Sequence, residues 1–322
     1  MHYDVFNGDA DGICALIQLR LDQPIESTLI TGIKRDIQLL DKVSVNPGDS
    51  LTVLDISFEK NSHRVTELLS SGASIFYADH HQSGDIPTHP NLKTLIDTDN
   101  AICTSLLINN HLNGKFPLWA VTAAYGDNLN QSAENLASAL SIDSPKLETL
   151  KNLGIYINYN GYGSSVSDLH FAPDVLYQEM VRYASPFDFI SGNYAVFEKL
   201  ENGYKEDMTN AGNIKPEYES NAVAVFILSD LAWARRVSGV FGNHLANLNP
   251  GKAHAVLSYN KDGGFLVSVR APLSNMVGAD DFCSGFATGG GRKSAAGINH
   301  LPKEQLSVFI DRFDTFYSAK MA

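Results

Sequence analysis

Side chains that could bind a metal ion occur in four short segments of the N-terminal half of the sequence. Gathered carboxylates repel one another, and one of them takes up a proton unless a cation neutralises the group. A mixture of aspartate and histidine is typical of a divalent transition-metal site, and manganese suits an oxygen-rich one. The candidates are Asp9 and Asp11 in NGDADG, Asp55 in VLDIS, Asp79, His80 and His81 in ADHHQSG, and Asp127 in YGDN.

The chemistry that such a cluster would support is the hydrolysis of phosphate esters. Two ions about 3.5–4 Å apart, bridged by a shared carboxylate, activate water and screen the charge on the phosphoryl group. Each segment also has an ordinary structural interpretation. Asp-x-Asp-Gly is usually a turn, an aspartate at a strand end is often a helix N-cap, and a histidine pair can simply lie on the surface. The order and context of the four segments favour a common site.

The elements around these residues alternate between strand-like and helix-like patterns. The sequence predicts strands over 2–6, 51–56, 74–78 and 92–96, and helices over 13–21, 60–72, 101–112 and 117–127. Such alternation predicts a parallel sheet with helices on its faces. Ligands of open parallel sheets bind outside the carboxyl ends of the strands. The loops that follow three strands would therefore bring their carboxylates and imidazoles to one crevice.

The length of 322 residues predicts two domains. We expect an α/β domain with a parallel sheet over 1–200 and a smaller α/β domain over 221–322. Residues 201–220 are rich in Gly, Pro, Asn and charge and lack apolar periodicity, so they are the expected linker.

Composition narrows the classes of partner. No apolar stretch approaches the roughly 18 residues of a membrane span, and the N-terminus does not resemble a secretory signal. The three scattered cysteines suit reduced thiols in the cytoplasm. The net charge of −12 lacks the basic footprint of a duplex DNA binder. A small or short phosphorylated substrate is the expected partner, without duplex DNA or a membrane, and a homodimer is left open.

The motifs together resemble the DHH phosphoesterase superfamily. NGDADG (7–12), VLDIS (53–57), ADHHQSG (78–84) and YGDN (125–128) occur in the family's order. GGGRKSAAG (289–297) is similar to the GGGHxxAAG loop of the substrate domain associated with that family. The resemblance implies a RecJ-like or nanoRNase-like enzyme, and it extends over nearly the whole chain. Its relatives also include cyclic di-AMP phosphatases and polyphosphatases.

The resemblance also implies a role for each motif residue. His81 would face the scissile phosphate as a charge stabiliser or proton donor, and Asp79 would orient an imidazole. Asp9 would bind the first ion, Asp11 the second, Asp55 both, and His80 and Asp127 would complete the second ion's ligands. The substrate's distant end would be held by Arg270, Gly289, Gly290, Gly291 and Arg292.

Two positions depart from the family's pattern. Many relatives supply a further His or Asp ligand just before the position of Asp9, where this sequence has Val5 and Asn7. Val5 cannot bind a metal and Asn7 offers only a neutral oxygen, so we expect the first ion to bind more weakly than the second. Arg292 stands where the C-terminal loop usually has His, which favours anion binding over proton transfer at that position.

The sequence thus predicts a hydrolase that acts on phosphodiester or phosphomonoester bonds of short oligonucleotides or nucleotides. Two Mn²⁺ ions are expected, with Mg²⁺ or Co²⁺ as substitutes. A single-strand-specific exonuclease is the first alternative. It would bind a longer strand through basic and aromatic side chains such as Arg235, Arg236 and the Tyr156–Tyr162 run. A cyclic dinucleotide phosphodiesterase, a polyphosphatase and a non-catalytic nucleotide sensor stay open.

Overall fold

The computed structural model describes residues 1–260 and 263–321, which form two compact units, Met1–Tyr204 and Lys205–Ala322. The division falls inside the predicted linker, 201–220. That interval is not irregular, because helix α9 (Tyr194–Gly212) continues through its first half and strand β6 (Tyr218–Glu219) begins near its end. Apolar positions sustain the helix: Leu200 is buried in the first unit and Ala211 in the second. The domain limits themselves stay a prediction.

The first unit contains a five-stranded parallel sheet in the order β2-β1-β3-β4-β5. This sheet and the flanking helices confirm the predicted α/β class. The sequence did not predict β2, a run of only three residues. The strands are β1 (His2–Phe6), β2 (Thr28–Ile30), β3 (Ser50–Leu54), β4 (Ser74–Asp79) and β5 (Leu92–Ile96).

Helices cover both faces of this sheet. Neighbouring residues of each strand point to opposite faces, so Val5 and Val53 belong to one apolar core while Phe6 and Leu54 belong to the other. The remaining helices of this unit are α1 (Ala10–Asp22), α2 (Phe58–Ser70), α3 (Thr104–His111), α4 (Pro117–Gly126), α5 (Asn130–Ala139), α6 (Ser144–Asn160), α7 (Pro173–Met180) and α8 (Pro186–Gly192).

The described part of the second unit has a six-stranded mixed sheet in the order β10-β11-β9-β8-β7-β6. β7 and β8 pair in parallel, and the other neighbours are antiparallel. Its elements are β7 (Val223–Ile227), α10 (Ala232–Leu248), β8 (Ala253–Tyr259), β9 (Phe265–Arg270), α11 (Ala279–Ser284), β10 (Gly289–Gly291), β11 (Ala295–Leu301) and α12 (Leu306–Met321). Among the described residues of both units, none of the helices has the length and apolarity needed to cross a bilayer.

A buried ion pair joins strand β1 to helix α1. Arg20 Nε donates to Asp4 Oδ2 at 2.9 Å, and Ser27 Oγ donates to the same oxygen at 2.6 Å. Burial alone would raise the pKa of Asp4, but the hydrogen bonds from Arg20, His2 and Ser27 lower it below its usual value. Asp4 therefore stabilises the fold above about pH 4, and that contribution is lost as the pH falls through its folded pKa.

We expect Arg20→Ala to lower the free energy of unfolding by about 3–5 kcal/mol, because it removes the guanidinium that neutralises the buried Asp4 carboxylate. Urea denaturation at pH 7 measures this loss. Lys146→Ala is the control, because Lys146 is 62% exposed in its ion pair with Asp143 and such pairs contribute less than about 1 kcal/mol. Equal effects of the two substitutions would contradict the structural role of the buried pair.

Candidate metal centre

The ends of three neighbouring strands place the first of the predicted metal ligands. Phe6 of β1 is in register with Leu54 of β3, and Leu54 with Ala78 of β4, so the residues that follow leave the same edge of the sheet. Asp55 continues the ladder by donating its backbone N–H to Ala78 O at 3.0 Å. Its φ of 58° is left-handed, a strained conformation of the kind that clusters at functional sites.

His80 lies at the centre of a group of carboxylates. Its Nε2 is 3.4 Å from Asp55 Oδ1, 3.7 Å from Asp127 Oδ2 and 3.9 Å from Asp11 Oδ2. Ligand atoms of Asp11, His80 and Asp127 all lie within 4.8 Å of one another, and so do those of Asp55, His80 and His81. Residues far apart in the sequence thus offer oxygen and nitrogen atoms to one small volume.

Helix α3 fixes the carboxylate of Asp11 through its first backbone amides. Thr104 N and Ser105 N each donate to one oxygen of Asp11 at 2.7 Å. The Thr104 hydroxyl donates to Asp55 Oδ1 at 3.3 Å. The N-terminus of a helix favours negative charge, and a carboxylate oxygen that accepts one bond keeps a second acceptor site. Asp11 is therefore held in place and can still bind a cation.

Two of these carboxylates are difficult to ionise without a cation. Burial raises the pKa of Asp55 well above its usual value, and the charges of Asp11 and Asp9 raise it further. Burial and the charge of Asp11 raise the pKa of Asp127 to about 6. A divalent ion would remove this repulsion, so the electrostatics of the group match a metal site.

Asp9 is in a different environment, because Lys34, which belongs to none of the sequence motifs, contacts it. Lys34 Nζ donates to Asp9 Oδ2 at 2.5 Å. Asp9 Oδ1 caps helix α1 by accepting from Asp11 N at 3.0 Å and Gly12 N at 3.1 Å. Burial opposes ionisation, but the Lys34 ammonium lowers the pKa of Asp9, and Asp9 raises that of Lys34. The sequence pattern gave no signal for this contact, because β2, the strand before Lys34, is too short to show periodicity.

The described residues fit the second predicted ion better than the first. For the second ion, Asp11, Asp55 and Asp127 each have a carboxylate oxygen within 3.9 Å of His80 Nε2. For the first, Asp9 already has hydrogen bonds to both of its oxygens, and Val5 is buried in an apolar core. The Asn7 amide donates to Lys34 O at 3.3 Å, and its buried Oδ1 has no hydrogen-bond partner among the described residues.

Asp79 orients His81. Asp79 Oδ1 lies 2.7 Å from His81 Nδ1, and its Oδ2 accepts from Phe58 N at 3.2 Å. The hydrogen bond to Asp79 raises the pKa of His81. Because Nδ1 faces the carboxylate, Nε2 is the ring nitrogen left for another partner. The imidazole is half-exposed, whereas Asp79 is buried.

In the second unit, Arg270 ends β9 with a well-fixed guanidinium group. Its Nε donates to Asn243 Oδ1 at 2.6 Å, its Nη1 to Ser268 Oγ at 3.0 Å, and its Nη2 to Gly239 O at 3.1 Å. Arg270 is in register with Ala295 of β11, next to the turn that contains the exposed Arg292. The sheet thus brings these two arginines to the same end of neighbouring strands.

The glycines of the C-terminal motif, Gly289–Gly291, form the edge strand β10 instead of the expected loop, because they pair antiparallel with β11. A Cβ on Gly289 would lie 1.7 Å from Cys283 O. Gly291 has a φ of 148°, and a Cβ there would lie 2.5 Å from Ala296 Cα. Packing and backbone conformation therefore require glycine at these two positions. A Cβ on Gly290 would meet nothing within 4 Å, so this glycine leaves open space.

Comparisons with protein-family models and with curated protein sequences give no match. Solved structures do match over nearly the whole chain. RecJ from Thermus thermophilus in complex with Mn²⁺ gives a TM-score of 0.63 at 13% identity, covering 99% of this chain and 52% of that one. The chain has a DHH-domain, RecJ-like fold.

Two further structures with this fold are similar over most of their own length. Exonuclease RecJ bound to manganese gives a TM-score of 0.61 at 14% identity, covering 98% of this chain and 90% of that one. A pGpG-specific phosphodiesterase from Vibrio cholerae gives 0.58 at 14% identity, covering 98% and 99%. The chain spans only about half the length of Thermus RecJ. The predicted resemblance to DHH proteins is confirmed at the level of the fold.

Mn²⁺ affinity should depend steeply on pH, because the ion must displace the proton that Asp127 holds below pH about 6. Below that pH the dissociation constant should rise about tenfold or more for each unit of acidification. Titration calorimetry between pH 5 and 8 measures it. Asp127→Asn should bind more weakly and with a flatter dependence. Affinity that is constant from pH 5 to 7 would contradict a site built from these carboxylates.

Asp55→Asn should weaken Mn²⁺ binding at least about 100-fold, since even residues that only support metal ligands commonly contribute 10–100-fold. The metal-free variant should melt at the same or a higher temperature, because the substitution removes repulsion with Asp11 and Asp9. Asparagine also tolerates the left-handed backbone at this position. A variant that unfolds would show a structural role, and one that binds Mn²⁺ normally would remove Asp55 from the site.

Proposed function

We propose that this protein is a cytoplasmic, metal-dependent phosphoesterase that hydrolyses phosphodiester or phosphomonoester bonds of short oligonucleotides or nucleotides. The observation that carries the proposal is the convergence of Asp11, Asp55 and Asp127 on His80. The raised pKa values of Asp55 and Asp127 mean that the negative charges of these carboxylates are not neutralised without a cation. The manganese bound to structures of the same fold supports Mn²⁺ as that cation.

Each side chain of the centre has a definite task in this reaction. Mn²⁺ bound by Asp11, Asp55, His80 and Asp127 would supply Lewis-acid activation of water and of the phosphate. His81 would face the phosphate with Nε2, while Asp79 holds Nδ1. The hydrogen bond to Asp79 raises the pKa of His81, and His81 would stabilise negative charge or donate a proton to the leaving oxygen.

Substrate binding is assigned to the second unit on its own geometry. Arg270 is fixed at the end of β9, with Arg292 near it, and two cationic side chains of this kind bind phosphate well. Gly290 has open space beside its backbone, whereas Gly289 and Gly291 are required by packing. We therefore propose that Arg270, Arg292 and the Gly290 backbone contact the substrate, and that Gly289 and Gly291 shape the strand.

A single-strand exonuclease is the second candidate, because two of the matching structures are RecJ proteins. However, several of the basic and aromatic residues that the sequence suggested for binding a long strand make other contacts in the structure. Tyr156 and Tyr159 are buried, and so offer no stacking surface. Arg236 pairs with Asp207 at 2.6 Å and Arg235 with Asp230 at 2.9 Å. With a net charge of −12, these contacts favour the shorter substrate and argue against duplex DNA.

Turnover of single-stranded oligonucleotides from two to about ten residues, measured with Mn²⁺, should be fastest for the shortest. The physical reason is that the chain is acidic and that Arg235 and Arg236 already pair with carboxylates, so added phosphates gain no charged contact from these two arginines. pGpG, a nucleoside monophosphate, a cyclic dinucleotide and polyphosphate complete the series. Arg270→Met should raise KM about tenfold or more by removing a charged contact, whereas Asp55→Asn should remove turnover of every substrate.

Turnover that increases with length would favour the exonuclease instead. Specific cleavage of cyclic dinucleotides or polyphosphate would identify those alternatives. No hydrolysis of any member, by protein shown to bind Mn²⁺, would favour a nucleotide sensor.

A further inference from the structure

Lys34 bears on how many ions the centre holds. We propose that its ammonium group takes the place of one of the two predicted cations, so that the protein binds a single divalent ion per chain. The remaining ion would be held by Asp11, Asp55, His80 and Asp127. This inference rests on the proposed function, because it refines the number of ions in the same centre.

Oxygen atoms surround the ammonium group as they would surround a small cation. Lys34 Nζ lies 2.5 Å from Asp9 Oδ2, 2.8 Å from Asn158 Oδ1 and 3.6 Å from Asp127 Oδ1. The side chain is 25% exposed, so much of its stem is covered. The ammonium donates to Asp9 and Asn158 at hydrogen-bond distance, and the Asp127 carboxylate lies within ion-pair distance of it. A positive charge is thus already present where the resemblance places the first ion.

The backbone on both sides of the centre holds Lys34 in this position. Lys34 N donates to Gly161 O at 2.8 Å, and Asn7 Nδ2 donates to Lys34 O at 3.3 Å. A Cβ on Gly161 would lie 3.2 Å from Asp9 Cβ, so this loop packs directly against Asp9. Asn7 is one of the two positions, with Val5, at which the resemblance leads us to expect a further ligand. Asn7, which departs from the ligand pattern, therefore helps to hold Lys34, which supplies the replacement charge.

The remaining ligands of a first ion are insufficient beside this lysine. Asp9 Oδ1 is used by two amides of helix α1, and Oδ2 by the ammonium. A divalent ion at Asp9 would lie next to a like charge in a site shielded from water, where the repulsion is strong. Asn7 Oδ1 offers one neutral oxygen, and Val5 offers none. By contrast, no lysine or arginine among the described residues makes an ion pair with Asp11 or Asp55.

The stoichiometry of Mn²⁺ binding tests this assignment without relying on activity. Mn²⁺ alone is titrated into the chelator-treated full chain by calorimetry, and bound ion is counted by electron paramagnetic resonance. We expect about one ion per chain and the spectrum of an isolated Mn²⁺, because magnetic coupling needs a second ion a few ångströms away.

Paired variants connect the stoichiometry to Lys34. The double variant Asn7→Asp with Lys34→Ala supplies a charged ligand and removes the ammonium, so it should bind about two ions with a coupled spectrum. Asn7→Asp alone is the matched control, and it should still bind one because Lys34 remains. Lys34→Arg keeps the charge and should also bind one. Thermal melting checks folding, and Lys34→Met replaces the double variant if that variant does not fold, with the same gain expected.

The outcomes separate this inference from the proposed function. Two ions of comparable affinity in the wild-type chain would overturn the role of Lys34 and leave a metal-dependent phosphoesterase intact. A single ion in the folded variant without Lys34 would also overturn it. No bound Mn²⁺ in the wild-type chain would overturn both.

Discussion

Mutual repulsion among buried carboxylates is the constraint that organises this molecule's first unit. Asp9, Asp11 and Asp55 are buried within a few residues of strand ends, and Asp127 joins them from the end of helix α4. Unscreened charges at this spacing would oppose folding by raising one another's pKa values. The chain supplies backbone amides at the starts of α1 and α3 and the ammonium of Lys34. The negative charge that remains is of the kind that a bound cation would neutralise.

The parallel sheet explains why these charges meet at all. Adjacent parallel strands end at one edge, so the in-register ends of β1, β3 and β4 set the separation of Asp9, Asp55 and His80. Backbone amides at the helix starts then bind the carboxylates separately, those of α1 at Asp9 and those of α3 at Asp11. Asp9 is at once a helix cap, an ion-pair partner and a member of the metal motif. One side chain can therefore follow a family pattern and an ordinary capping pattern together, and its contacts decide which role remains.

The three glycines of β10 in the second unit have different physical roles. Gly289 and Gly291 allow β10 to pack against Cys283 and Ala296, whereas Gly290 leaves space free. Arg270 donates to several acceptors in its own unit, among them Asn243, Ser268, Val269 and Gly239, and these contacts fix the direction of its charge. A guanidinium that is already fixed loses little conformational entropy when it binds a phosphate, so less of the interaction energy is lost on ordering the side chain.

The sequence by itself determined the alternating α/β architecture and the positions of the motif residues, because period-2 and period-3.6 patterns and strand-end aspartates are local signals. It could not reveal that β2 places Lys34 against Asp9, since a three-residue strand has no periodicity and the contact joins residues 25 positions apart. The edge strand of glycines and the helix through 201–212 were missed for a similar reason: pairing and packing outweighed local composition. Which carboxylates keep a free oxygen for a metal ion is decided by tertiary contacts alone, because charge balance depends on distances in space.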